Sequence, residues 1–339
     1  MSDVLNFHAF PDPTIRNAAL AAAGPADVVE SGWIPPERRD PAMVAAHAIA
    51  TGQTPNLAVY GTNAYADATK VGLWECWKLA LGKDYAGVHQ ITGSCVGAAG
   101  GNALFSLAAA DVVRRRDPEL AVVPFWLLPY GLSRKFAGIR GRGEGSFGST
   151  FAKAVREYGH VKADEQGLPT YTDRDGLVWG SNAEYEWSDG AKISESWLTK
   201  AKPYLVRSTA LCRSTDDVRD AIKAFYPVTI ASNWGGLMKC PVKGTGANTR
   251  LVNRRATTWM HQMSVHGWED NPELGELFYV LNQWGLDAHG RCPSGAPPGG
   301  FWVDRATAER MLSVRDSYSV EFDGFDHTPQ QVMQAFSIP

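Results

Sequence analysis

The apolar positions of HQITGSCVGAAGGNALFSLAAADVVRRRDP, from His89 to Pro118, recur with the spacing of one helical face: Val96, Ala99, Gly100, Ala103, Leu104 and Leu107. The period predicts a buried central helix that opens at Cys95 after a Gly-Ser turn. It should close on Arg114–Arg116, where cations meet the negative end of the helix dipole before Asp117 and Pro118 stop it. Glycine in a helix costs about 1 kcal/mol against alanine, so Gly97, Gly100 and Gly101 predict close backbone packing or ligand approach there. Upstream, NAYADATKVGLWECWKLALG predicts a helix over 63–81. Downstream, GIRGRGEGSFGSTFAKAVREYG reads as a glycine-rich loop feeding an amphipathic helix. Residues 160–205 are polar, turn-rich and tryptophan-bearing, which predicts loops and one short helix. From 206 the pattern changes to short strands: YPVTIASNWG, TWMHQMSVHGW, ELFYVLNQWG and GGFWVD.

A helical half therefore precedes a strand-rich half, an α+β organisation. Residues 1–62, rich in Ala and Pro, form an extended N-terminal extension to a domain spanning 63–339, with a helical lobe over about 63–205 and a β-rich lobe over about 206–339. A chain of 339 residues with 44% hydrophobic content can bury a large core. The formal charge of -3, with no long block of like charges, argues against nucleic acid as a partner. The apolar run LAVVPFWLLPYGL is short and broken by prolines, so no membrane span is expected. The N-terminus lacks the pattern of a secretory signal. Cys76, Cys95, Cys212, Cys240 and Cys292 are scattered, without metal-ligand spacing; a reducing, cytoplasmic setting with no metal and no cofactor is expected. Gly143-x-Gly145-x-x-Gly148 has the letters of a dinucleotide fingerprint but no buried strand before it.

Chemistry enters with Cys95. A thiol is a strong nucleophile only as thiolate, and a helix N-terminus with an imidazolium partner lowers its pKa. Strand alternation puts His261 on one face with Trp259, Met263 and Val265, and turns His266 to the other. Asn282 follows at a strand end, where its side chain can accept the imidazole Nδ1–H, with Trp284 beside it to exclude water.

With QITGSCVG, HQMSVHGW and NQWG in this order, the chain resembles the papain-like cysteine peptidases, closest to the divergent bacteriophage and bacterial type. That impression also draws on YGLSR, GEGSFGSTFAKAVREYG and GGFWVD. The resemblance implies a two-lobed papain-like fold with the cleft between the helical lobe and the β-rich lobe. It implies Cys95 as nucleophile, His261 as base and then acid, Asn282 as orienter and Gln90 as oxyanion donor beside the Cys95 N–H. Gly145, Ser146 and Trp284 would line the substrate cleft. The family spacing falls on His89, one residue before Gln90, leaving His89 as the other candidate donor; Val96 stands where the family usually has Trp. The implied substrate is a peptide or protein, hydrolysed through a thioester. The same residues would serve an amidase or acyltransferase, and a virion or assembly component with reduced activity is the non-enzymatic alternative, virion-associated with other virion proteins as partners if phage-encoded. Residues 1–62 would then be an inhibitory pro-segment or a docking arm.

Overall fold

The computed structural model describes residues 4–6, 18–19, 22, 27–54, 68–82, 87–115, 122–173, 176–291, 293 and 295–321. Its helices are α1 (Pro41–Gly52), α2 (Trp74–Leu81), α3 (Cys95–Arg115), α4 (Leu127–Phe136), α5 (Gly148–Glu157), α6 (Ser181–Trp187), α7 (Glu195–Ala201), α8 (Thr215–Lys223) and α9 (Arg305–Leu312). Among the described residues the main sheet has ten strands: β1 (Val4–Asn6), β2 (Val28–Glu30), β3 (Lys70–Gly72), β4 (Ser208–Leu211), β5 (Val228–Ser232), β6 (Gly235–Gly236), β7 (Arg255–Asn271), β8 (Gly275–Leu281), β9 (Gly300–Asp304) and β10 (Tyr318–Glu321).

The 17-residue β7 is the spine of this sheet. It pairs antiparallel with β5, where His261 faces Ser232, and antiparallel with β8, where Ser264 faces Leu281. Its first half pairs parallel with β2, Trp259 opposite Val29. Helix α3 is the core of the helical half, and its glycines have the packing role that the pattern implies. A Cβ on Gly100 would come within 2.1 Å of the Phe151 ring, and one on Gly97 within 2.7 Å of Trp126 and Tyr130. Cys95–Val113 is also long and apolar enough to cross a membrane, unlike the shorter run LAVVPFWLLPYGL, but 94% of its most apolar window is buried inside the protein.

The expected strands are found: YPVTIASNWG holds β5, TWMHQMSVHGW lies in β7, ELFYVLNQWG holds β8 and GGFWVD holds β9. Several expectations are corrected. The helix expected over 63–81 is helical only from Trp74, because Lys70–Gly72 pairs with β7 instead; residues 55–67 lie outside the described residues. Two short helices, α6 and α7, stand where one was expected. The β-rich half carries α8 and α9, each capped by a side chain: Ser214 and Asp217 make a reciprocal capping box, and Asp304 accepts from Thr307 N–H. The N-terminal extension is not simply extended. Asp40 caps α1 with Pro41 at its first turn, and α1 packs on α5.

Burial of His160, His261, His266 and His289 makes the fold acid-sensitive. Burial pushes His261 and His266 down to about 3, and His160 and His289 down to about 4. The folded state holds these rings neutral, whereas the unfolded chain protonates them below about 6.5. Their stabilisation is therefore complete above that pH and is lost as pH falls from about 6.5 towards 4 and 3, by about 1.4 kcal/mol per pH unit for each ring. The melting temperature should fall steeply over that window. A melting temperature flat from pH 7 to 4 would contradict these buried neutral states.

Candidate active site

Cys95 opens α3 and is fully buried. Its Sγ accepts the backbone N–H of Gln262, the β7 residue after His261, at 3.4 Å. Burial pushes the thiol up to about 12; backbone N–H groups of Gln262, Val96, Trp33 and Cys95 itself oppose that shift without overcoming it. The thiolate expected from the helix N-terminus is thus absent in this state, because the desolvation cost of a buried anion outweighs the helix-end field.

His261 is also fully buried. Its Nε2 lies 2.7 Å from Asn282 Oδ1, and its Nδ1 has no hydrogen-bond partner. Asn282 therefore holds the ring by Nε2, not by the Nδ1 expected from the sequence, which leaves Nδ1 bare. The Trp284 ring stacks on the imidazole with centroids 4.6 Å apart. Burial dominates the lowered pKa of His261; Asn282 works the other way and nearby His289 adds to the lowering. His266 stands apart, its two ring nitrogens paired with Ser106 at 2.8 Å and Ser264 at 2.7 Å.

The side-chain amide of Gln90 donates to the Ser31 carbonyl at 3.2 Å and to the Thr92 carbonyl at 2.9 Å. The Cys95 N–H donates to the same Ser31 oxygen at 3.3 Å. Of the two candidate donors it is Gln90, not His89, whose amide converges with Cys95 N–H; His89 is buried near Gly285. The loop between Gln90 and Cys95 is held by the buried Glu184 of α6. Its carboxylate accepts the N–H groups of Ile91 and Thr92 and the hydroxyls of Thr92 and Ser94.

Beyond Ser31 the N-terminal segment runs along Gly145 and Ser146. Ser146 N–H donates to Gly32 O, and Ile34 N–H donates to Ser146 O, both at 2.9 Å, so Trp33 and Ser146 form a parallel bridge. Arg134 supports this edge by donating to the Gly145 carbonyl at 2.8 Å. Gly32 has φ +105°, and a Cβ there would lie 1.7 Å from the Gly93 carbonyl oxygen. The segment is anchored by the buried Asp316, which accepts Trp33 Nε1–H at 2.9 Å, Arg39 at 3.0 Å, and the Gly148 and Ser149 N–H groups that open α5.

Sequence reasoning missed Ser31, Glu184 and His289. His289 Nε2 lies 2.8 Å from Asn282 Nδ2, and the histidine seven residues after Asn282 was the one signal for it. Among the described residues no group of three or more His, Cys, Asp or Glu side chains is arranged to hold a metal ion.

No family model matches the chain, and no curated protein matches it. Among solved structures it is similar to xylellain, a cysteine protease from Xylella fastidiosa, at 18% identity and TM-score 0.52, covering 86% of this chain and 96% of that one. It is also similar to the proform of the ragweed pollen cysteine protease Amb a 11 (14% identity, TM-score 0.48, 87% and 77% covered) and to bromelain of Ananas comosus (10%, 0.45, 76% and 100%). The likeness to xylellain shows the fold, that of the papain-like cysteine proteases.

In the intact chain at pH 6, iodoacetamide should label the partly exposed Cys240 before the buried Cys76, Cys95 and Cys212. Mass mapping after brief exposure reads the order. Cys95 labelled first would mean that its thiolate forms without any opening of the cleft.

Proposed function

We propose that the chain is a cysteine peptidase of the papain type, held latent by its own N-terminal segment. The observation that carries this reading is the Ser31 carbonyl, which receives the N–H of Cys95 and the amide of Gln90 together. Two donors converging on one carbonyl oxygen beside a thiol form the environment that a tetrahedral oxyanion needs. In the latent chain that place is taken.

The reaction follows once the segment moves aside. Solvent reaching Cys95 and His261 removes the desolvation that keeps both neutral, so the thiol proton can pass to His261 Nδ1, the nitrogen left bare by the Asn282 bond. The thiolate attacks the substrate carbonyl, and the developing oxyanion is held by Cys95 N–H and Gln90 Nε2. His261 then returns its proton to the leaving amine as the C–N bond breaks, leaving a thioester on Cys95. A water deprotonated by His261 hydrolyses that thioester and restores the thiol. Asn282 keeps the ring aimed, and Trp284 keeps water from the bond between them.

A peptide substrate is favoured over a small amide because Ser146 offers an N–H and a C=O that pair with extended backbone, as they do with Gly32 and Ile34. The non-enzymatic alternative, a permanently closed assembly component, shares the occluded cleft; opening the cleft separates the two.

Gly32→Ala should open it. The added Cβ cannot lie 1.7 Å from the Gly93 oxygen, and alanine is strained at the positive φ, so the segment must lift from the oxyanion pocket. A clash worth about 1–3 kcal/mol predicts peptide hydrolysis raised about fivefold or more over the intact chain, abolished by adding Cys95→Ala. A folded Gly32→Ala variant with no turnover on a mixed peptide library would support the closed assembly component instead.

A further inference from the structure

His289 is buried among aromatic rings: its centroid lies 6.0 Å from that of Trp259, 6.4 Å from Trp284 and 4.6 Å from Phe301. A phenyl or aliphatic side chain would suit such a wall, whereas an imidazole is costly there unless both nitrogens are satisfied. They are. Nδ1 lies 3.2 Å from the Leu237 carbonyl oxygen and Nε2 lies 2.8 Å from Asn282 Nδ2.

We propose that His289 is a positioning residue that sets the proton of His261 through Asn282, an inference that rests on the peptidase reading for its catalytic meaning. A carbonyl only accepts, so the His289 nitrogen facing Leu237 carries the proton. The ring is neutral, since burial lowers its pKa to about 4, and so Nε2 is a bare acceptor. An acceptor can face only the NH2 end of the Asn282 amide, which turns Oδ1 towards His261. Oδ1 in turn accepts, so His261 carries its proton on Nε2 and presents Nδ1 bare. The Gln283 N–H, 2.7 Å from the same Oδ1, agrees with this orientation. The reversed amide would set two acceptors face to face at His289 and two donors face to face at Gln283. The tautomer of the proposed base is thus determined by a relay running from the Leu237 carbonyl through His289 and Asn282.

Long-range 1H–15N spectra of the ring nitrogens in the intact chain test the relay without requiring turnover. They should show opposite neutral tautomers, Nδ1–H at His289 and Nε2–H at His261; either ring in the other tautomer overturns the proposal. Kinetics in the Gly32→Ala background test its consequence. His289→Phe, which keeps a ring but removes the acceptor, should lower kcat about tenfold with KM nearly unchanged, and His289→Gln, which restores an acceptor near the Nε2 place, should recover activity to within about threefold. In an Asn282→Ala chain, His289→Phe should cost nothing further, because the residue acts through Asn282. Equal melting temperatures with glutamine no better than phenylalanine, or losses that add fully to Asn282→Ala, would reduce His289 to a packing residue. Absence of turnover in every variant would count against the peptidase reading, and the spectra would still decide the relay.

Discussion

Pairing along Arg255–Asn271 is the constraint on which the other features hang. One face of this strand register brings His261 against Asn282 at the end of β8, and the next residue, Gln262, turns its N–H onto the Cys95 thiol. The same strand accepts the Ser31 N–H at the Met260 carbonyl and pairs with β2, so it also places the N-terminal segment beside Cys95. A slip of one residue would turn His261 to the opposite face of the sheet and carry β2 out of step with Gln90 and Cys95. Placement of the proposed nucleophile, of the proposed base and of the N-terminal segment beside them is one geometric solution.

Burial then decides the chemistry of that solution. A thiol pushed to about 12 and an imidazole pushed to about 3 are both neutral at ordinary pH, so neither Cys95 nor His261 carries a charge in this structure. On the latent-peptidase reading proposed above, the segment and the proposed catalytic groups are linked through water: covering them removes the solvation that an ion pair needs, and uncovering them restores it. The anchor of the cover is itself polar. Asp316 sits fully buried with donors on both sides, Trp33 and Arg39 from the segment, Gly148 and Ser149 from α5, so undocking the segment would strip it of two of these four donors.

How much of this was legible in the sequence depended on the range of each interaction. Cys95 at a helix start, His261 by alternation and Asn282 with Trp284 at a strand end are local patterns, and the structure brings His261, Asn282 and Trp284 together. Gln90 over His89 was legible only as a preference, since a side chain one position along a loop is aimed by tertiary contacts, here those of Glu184 with Ile91 and Thr92. Two helices had readable caps that composition obscured: Asp40-Pro41 before α1 inside an Ala- and Pro-rich stretch, and Ser214 with Asp217 at α8. Ser31 could not be read at all, because it acts through a backbone carbonyl that any residue carries. His289 was one histidine in a loop, and its meaning lies in two hydrogen bonds to distant partners.

Titration with a thiol-directed peptidyl epoxide measures the central claim, that the N-terminal segment and not a defect of the site keeps Cys95 silent. The intact chain at neutral pH should remain unmodified, and the chain cut by a second protease between residues 55 and 67 and freed of its N-terminal piece should be modified stoichiometrically at Cys95. Equal modification before and after cutting, or none after the piece has been removed from a folded chain, would contradict the account.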